Sequence, residues 1–324
     1  MDYEKVTETT YRDEGLSNKI EGALDYDVID NSSPDNNIIG KMHKKFVRME
    51  SKYFSRFFEM RNNGEVSFST YFTDEDNRMK YVPEYVSTLI KQTSLSRDCV
   101  FETYVPEVLN IFDLPTVFNS VCHDEKGYSY VASIDFIKPN ERLVLFSETG
   151  RNTGDFGGDI NLQKSVMYVV DTIEELYAQE KLEPNAADVK KQVEEFVMSY
   201  LVRVCLLRDY DFTSRNNGFL VNEKEKSIRL APNFDFELSF RLKDYKSLKD
   251  DLLFAANNFP EVFDKFMIKL EEFAKKKEGV ERYKTLYDEV HGTDKYREDV
   301  FGIIEEQSKQ IFEIHENIKG VNFE

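Results

Sequence analysis

The stretch "LLRDYDFTSRNNGFLV", residues 206–221, places Asp209, Asp211, Asn216 and Asn217 between two apolar runs. A turn is satisfied by one or two such residues, so this density of carboxylates and amides asks for another use. After the charged turn "NEKEK" comes "IRLAPNFDFELSF", residues 228–240. Phe219 and Leu220 read as one strand and "SIRLAP" as its partner, a hairpin that returns Asp235 alongside the first loop. Two carboxylates and one amide then share a small volume.

Phosphoryl transfer calls for such a set, because the protein's task is to position groups and neutralise phosphate charge with Mg²⁺. Hard Mg²⁺ takes oxygen ligands, usually one or two carboxylates, and an Asn carbonyl also serves. Asn216 and Asp235 are the natural metal pair, which leaves Asp211 to orient and deprotonate an acceptor hydroxyl. The same residues also fit a polar turn in which Asn and Asp cap backbone groups. Spacing alone does not separate the two.

Outward from this stretch the chain changes character twice. Residues 1–45 are polar and acidic, weak in periodicity, and read as an arm or cap. Residues 46–137 read as a small α+β lobe. In it "EVSFSTYF" (65–72) alternates as a half-buried strand and pairs with "RMKYV" (78–82) across "TDEDN". A helix follows near 100–112 and a strand at "YSYVASIDFI" (128–137). Residues 138–324 form a mostly helical second lobe. "DINLQKSVMYVVDTIEELYAQEKL" (159–182) is one amphipathic helix and "NAADVKKQVEEFVMSYLVRVCLL" (185–207) another, capped by Asn185. Further helices cover roughly 246–277 and 294–318.

Composition limits the function classes. The 324 residues carry 40% hydrophobic and 14% aromatic side chains, enough for a core. A net charge of −18 disfavours a nucleic-acid surface, and "KMHKKFVR" (41–48) and "KKK" (275–277) are too short to supply one. No run reaches the roughly 18 apolar residues of a membrane helix, and the start "MDYEKVTETT" lacks a secretion signal, so a soluble cytoplasmic protein is expected. The three cysteines form no CxxC, which suits a reducing compartment and gives no zinc set.

The combination "DFTSRNNGFL" (211–220) followed by "LAPNFD" (230–235) resembles the HipA-like bacterial serine/threonine protein kinases, whose pattern is D-x-H-x-x-N before a strand and then A-P-x-[YF]-D. Asp211, Asn216 and Asp235 fall on the three key positions, while Thr213 stands at the usual histidine. The resemblance implies a two-lobed kinase-like fold with ATP and Mg²⁺ as cofactors and Ser or Thr hydroxyls of a protein as acceptors. It further implies a phosphate-holding lysine, for which Lys80 is the candidate, and an acidic helix partner, Glu102. The loop "RNNG" would cover the nucleotide with Gly64 and Asn63, and "VASIDFI" (131–137) would link the lobes at the adenine edge. Lys80 also fits an exposed strand lysine, and Glu102 a first-turn glutamate favoured by the helix dipole. The alternatives to a protein kinase are a pseudokinase or interaction module that binds a partner without catalysis, and a small-molecule kinase. The arm at 1–45 reads as a segment packed on the first lobe; its other uses are a tethered cap or a contact for a regulatory partner protein.

Overall fold

A computed structural model describes residues 20–23, 44–55, 83–92, 96–138, 140–149, 161–242, 245–275, 278–291 and 300–321. Among these residues the fold is mixed α/β, with two antiparallel sheets and seven α-helices. Contacts group the chain into two units, residues 1–139 with 281–297, and residues 140–280 with 298–324.

The first unit holds β1 (Lys44–Glu50), β2 (Tyr85–Lys91), helix α1 (Ser96–Ile111), β3 (Asn119–His123) and β4 (Ser129–Ile134), with strand order β1-β2-β4-β3. β2 buries Val86, Thr88 and Ile90 and leaves Tyr85, Ser87 and Leu89 half-buried, the two-residue period of a strand packed on one face. Its last residue, Lys91, lies opposite Val131 of β4. α1 is buried without a break from Asp98 to Val105, so it runs through the core and shows little amphipathic contrast. Residues 20–23 touch both outer strands. Ile20 bridges to Asp124 just past β3 and Ala23 to Met49 of β1, while the Ile20 side chain joins the core cluster of Met49, Phe54, Ile90, Tyr130 and Ile134. Gly22 is needed there: its φ is +75°, and a Cβ would sit 1.9 Å from the Tyr53 ring. Arg282 pairs with Glu107 at 2.8 Å and the Tyr283 ring packs edge-on to Tyr104, which attaches this later segment to α1.

The second unit is built on β5 (Glu141–Leu145), β6 (Gly218–Asn222) and β7 (Ser227–Leu230), with β6 central and fully buried. Around them run α2 (Leu162–Gln179), α3 (Ala186–Tyr200), α4 (Leu248–Asn258) and α5 (Pro260–Lys275). α6 (Glu278–His291) begins here and continues into the first unit, and α7 (Val300–Val321) returns to the second. Asn161 and Asn185 accept from Lys164 and Ala187 amides at 2.8 and 3.0 Å, capping α2 and α3 as their sequence positions dictate. The β6–β7 turn is held by Asn222, whose Oδ1 accepts from the amides of Lys224 and Glu225. At Gly218 a Cβ would lie 2.5 Å from the Val144 carbonyl, so the β5–β6 approach is open only to glycine. No described helix is long and apolar enough to cross a membrane.

The expected hairpin at 65–72 and 78–82 lies outside the described residues. β3 and β5 are strands that hydrophobic alternation did not announce.

Candidate active site

α3 passes directly into a π-helical turn, Leu201–Leu206, whose six residues are all buried. Single π turns widen the helix and recur at functional sites. The chain then bends into the loop carrying Asp211. Asp209 organises this bend: its amide donates to the Arg203 carbonyl at 2.8 Å, and its Oδ1 accepts the Asp211 amide at 2.9 Å. Asn216 closes the loop, donating Nδ2 to Asp211 Oδ2 at 2.7 Å and to the Asp211 carbonyl at 3.1 Å. Thr213 holds the loop mainly through its backbone, while its hydroxyl accepts a long bond from the Arg215 amide at 3.4 Å. The Thr213 amide donates to the Asp211 carbonyl, and its own carbonyl accepts from the Asn216 amide and from Asn217 Nδ2. Behind the loop, the amides of Phe146 and Ser147 donate to the carbonyls of Asn217 and Ser214 at 2.9 and 3.0 Å. The loop is therefore fixed without an imidazole.

Asp235 follows β7 in a left-handed conformation, φ +61°, which non-glycine residues adopt only when surroundings enforce it. Backbone bonds stitch the flanking segments together: Tyr210 to the Leu238 carbonyl, Phe240 to Leu207, and Leu242 to Arg208. Arg203 adds a side-chain tie. It is fully buried, pairs with Asp209 Oδ2 at 2.6 Å, and donates to the carbonyls of Phe234 and Asp235 at 3.3 and 2.9 Å. The guanidinium carbon also lies 4.9 Å from the Phe212 ring centroid and 4.8 Å from that of Phe236. Asp211, Asn216 and Asp235 thus stand on one framework in the second unit.

Burial pushes the Asp211 carboxyl up to about 6, and the negative charges of Asp235 and Asp209 add to it, while the Asn216 bond and the Arg203 charge oppose the shift. Two carboxylates crowded in this way favour a cation. Asn216 donates its amide nitrogen to Asp211 and keeps its amide oxygen for a cation, so the set of an amide oxygen and carboxylates fits Mg²⁺.

The first unit carries a second polar cluster inside its core. Lys91 Nζ lies 2.5 Å from Glu102 Oε1, and both side chains are almost wholly buried. Pro106 explains how Glu102 is fixed. A proline inside a helix lacks the amide that would bond the carbonyl four residues earlier, and that carbonyl belongs to Glu102. Asn119 takes the missing role, donating Nδ2 to the Glu102 carbonyl at 2.6 Å and to Oε2 at 3.3 Å. Glu102 is therefore an interior residue of α1, six positions past Ser96, rather than a first-turn residue. Lys80, Gly64 and Asn63 lie outside the described residues. Among those described, the lysine that meets Glu102 is Lys91.

Sequence reasoning passed over Lys91, Asn119 and Arg203. The available signal for Arg203 was a lone charge inside "YLVRVCLL", a position that demands a buried partner.

No family model and no curated protein matches the chain. Among solved structures it is similar to the proinflammatory kinase CtkA of Helicobacter pylori, with 14% identity over 73% of this chain and 92% of that one and a TM-score of 0.46. It is also similar to a chain of the Shewanella oneidensis MR-1 toxin–antitoxin complex of HipA, HipB and operator DNA, with 9% identity over 88% of this chain and 74% of that one and a TM-score of 0.39.

Proposed function

We propose that this chain is a HipA-like kinase that transfers the γ-phosphoryl group of ATP to Ser or Thr hydroxyls of a protein. The observation that carries the proposal is the short bond from Asn216 to Asp211, on a loop tied through Asp209 and Arg203 to the backbone of Asp235. In this assignment the Asn216 amide oxygen and the Asp235 carboxylate hold Mg²⁺, which when bound supplies charge neutralisation for the phosphates. Asp211 accepts the proton of the acceptor hydroxyl, and its Asn216 bond aims the carboxylate. Lys91, oriented by Glu102, is the phosphate-holding lysine among the described residues. Gly64 and Asn63 remain the proposed nucleotide flap, and Lys80 the lysine suggested by the hairpin motif. Little covalent chemistry is asked of the protein; orientation and electrostatics supply the rate.

The test uses the full chain, labelled ATP, Mg²⁺ and candidate protein acceptors. Wild type is expected to gain thermal stability with ATP and Mg²⁺ and to transfer label. Asp211→Ala should keep the thermal shift and lose about 10²–10⁴-fold in transfer, the usual contribution of a general base. Asp235→Ala should lose the Mg²⁺-dependent part of the shift. If wild type binds no nucleotide, the kinase assignment fails. Nucleotide binding with no transfer by wild type would point instead to an interaction module that keeps the fold.

A further inference from the structure

We propose that Arg203 is a positioning residue that sets the spacing between the proposed base Asp211 and the proposed metal ligand Asp235. The inference rests on the kinase assignment for what that spacing serves.

Both carboxylates are followed by a phenylalanine, and both rings, Phe212 and Phe236, lie within 4.9 Å of the same guanidinium carbon. The Arg203 donors divide between the two segments. Nε and Nη2 reach Asp209 Oδ2, whose other oxygen holds the Asp211 amide. Nη1 and Nη2 reach the carbonyls of Phe234 and Asp235. One rigid planar group therefore meets Asp209, two positions before Asp211, and Phe212, directly after it, in one segment, and the left-handed backbone of Asp235 in the other.

Stability alone does not account for this arrangement. A buried ion pair loses hydration on both partners, and apolar residues of similar volume often serve a core as well or better. What an apolar replacement cannot do is hold two specific carbonyls and a carboxylate in one plane. Lysine cannot do so either, since its ammonium is a point charge on a flexible stem and lacks the fork. The π turn suits the role as well: it places Arg203 where its own carbonyl receives the Asp209 amide, so backbone and side chain of one residue grip the same aspartate.

The test compares wild type, R203K and D209N as full-length protein by thermal melting, Mn²⁺ affinity from electron paramagnetic resonance, and steady-state kinetics. R203K retains a charge for Asp209, so it is expected to fold. Its Mn²⁺ affinity and kcat should each fall by about 10–100-fold, the range for residues that orient metal ligands, with KM for ATP nearly unchanged. D209N should lower kcat more than Mn²⁺ affinity, because Asp209 holds the Asp211 side. A merely structural Arg203 would lower the melting temperature and the active fraction while the surviving enzyme kept its Mn²⁺ affinity and kcat, and that result overturns the proposal. Should R203K not fold, D209N decides: wild-type kcat in it is equally fatal. Absence of Mn²⁺ and ATP binding in wild type defeats the kinase assignment and this inference together, whereas normal wild type with normal variants defeats only the inference.

Discussion

At Asp211 the folded carboxyl rises from the ordinary 3.8 to about 6, chiefly through burial and then through repulsion from Asp235 and Asp209. The sign of the stability effect follows. Folded protein binds this proton more tightly than unfolded protein does, so the Asp211 contribution is fully present below the unfolded value and is lost as pH rises through the folded one. In the proposed reaction the dependence runs the other way, since only the ionised carboxylate accepts a proton. We therefore expect kcat/KM in the free enzyme to fall on the acid side with an apparent pKa near the Asp211 value of about 6. A bound cation opposes the repulsion from Asp235, so raising Mg²⁺ should move that limb to lower pH. Rate–pH profiles at two Mg²⁺ concentrations check both points; a limb that does not move with Mg²⁺ would sever the link between base and metal. The polar residues of the loop were legible because their types and spacing are tied to chemistry. Arg203 was not, because a charge inside an apolar run signals only that a partner exists, while Asp209 and two backbone carbonyls are supplied by folding.

On the scale of elements, α1 and β3 (Asn119–His123) show why the cluster in the first unit is harder to read than the loop. The helix was expected from its apolar positions, yet its polar members are buried too, so periodicity gave no hint that Glu102 faces the core. β3 reads "NSVCH", and it is a strand because β4 pairs with every residue of it, a long-range cause that alternation cannot report. Lys80 is marked in the sequence by the glycine-containing hairpin motif and lies outside the described residues, whereas Lys91 has no such motif and ends a strand whose pairing with β4 sets it beside Glu102. Asn119 makes a sharp prediction. Asn119→Ala removes the side-chain donor to the Glu102 carbonyl and should cost about 1–3 kcal/mol, the range for a buried group that loses its bond. Pro106→Ala restores the amide that the helix lacks, so the double variant should recover part of the loss. Chemical denaturation of the four proteins gives the coupling energy. Strictly additive effects would show that Asn119 does not serve the carbonyl that proline exposes.

For the whole molecule, the division at residues 139 and 140 assigns Lys91, Glu102 and Asn119 to the first unit, and Arg203, Asp209, Asp211, Asn216 and Asp235 to the second. The mostly helical character of the later chain was legible from its 3.6-residue period. The assignment of 281–297 to the first unit was not, because it depends on Arg282 and Tyr283 meeting Glu107 and Tyr104 across a long sequence gap. The acidic start of the chain reads as an arm packed on the first lobe, and of its described residues Ile20 is 3% exposed within the first unit's core while the segment 20–23 bridges to residues at both outer strands. Two outcomes can be told apart by one substitution. If this segment is part of the core, Ile20→Ala should cost about 2–5 kcal/mol, as truncation of a buried isoleucine does, with ATP affinity unchanged well below the melting temperature. If the segment acts only as a negatively charged cover over the nucleotide, Ile20→Ala should leave the melting temperature in place and tighten ATP binding. Thermal melting with ATP titration decides, and the packing of Ile20 against Met49, Phe54 and Tyr130 favours the first outcome.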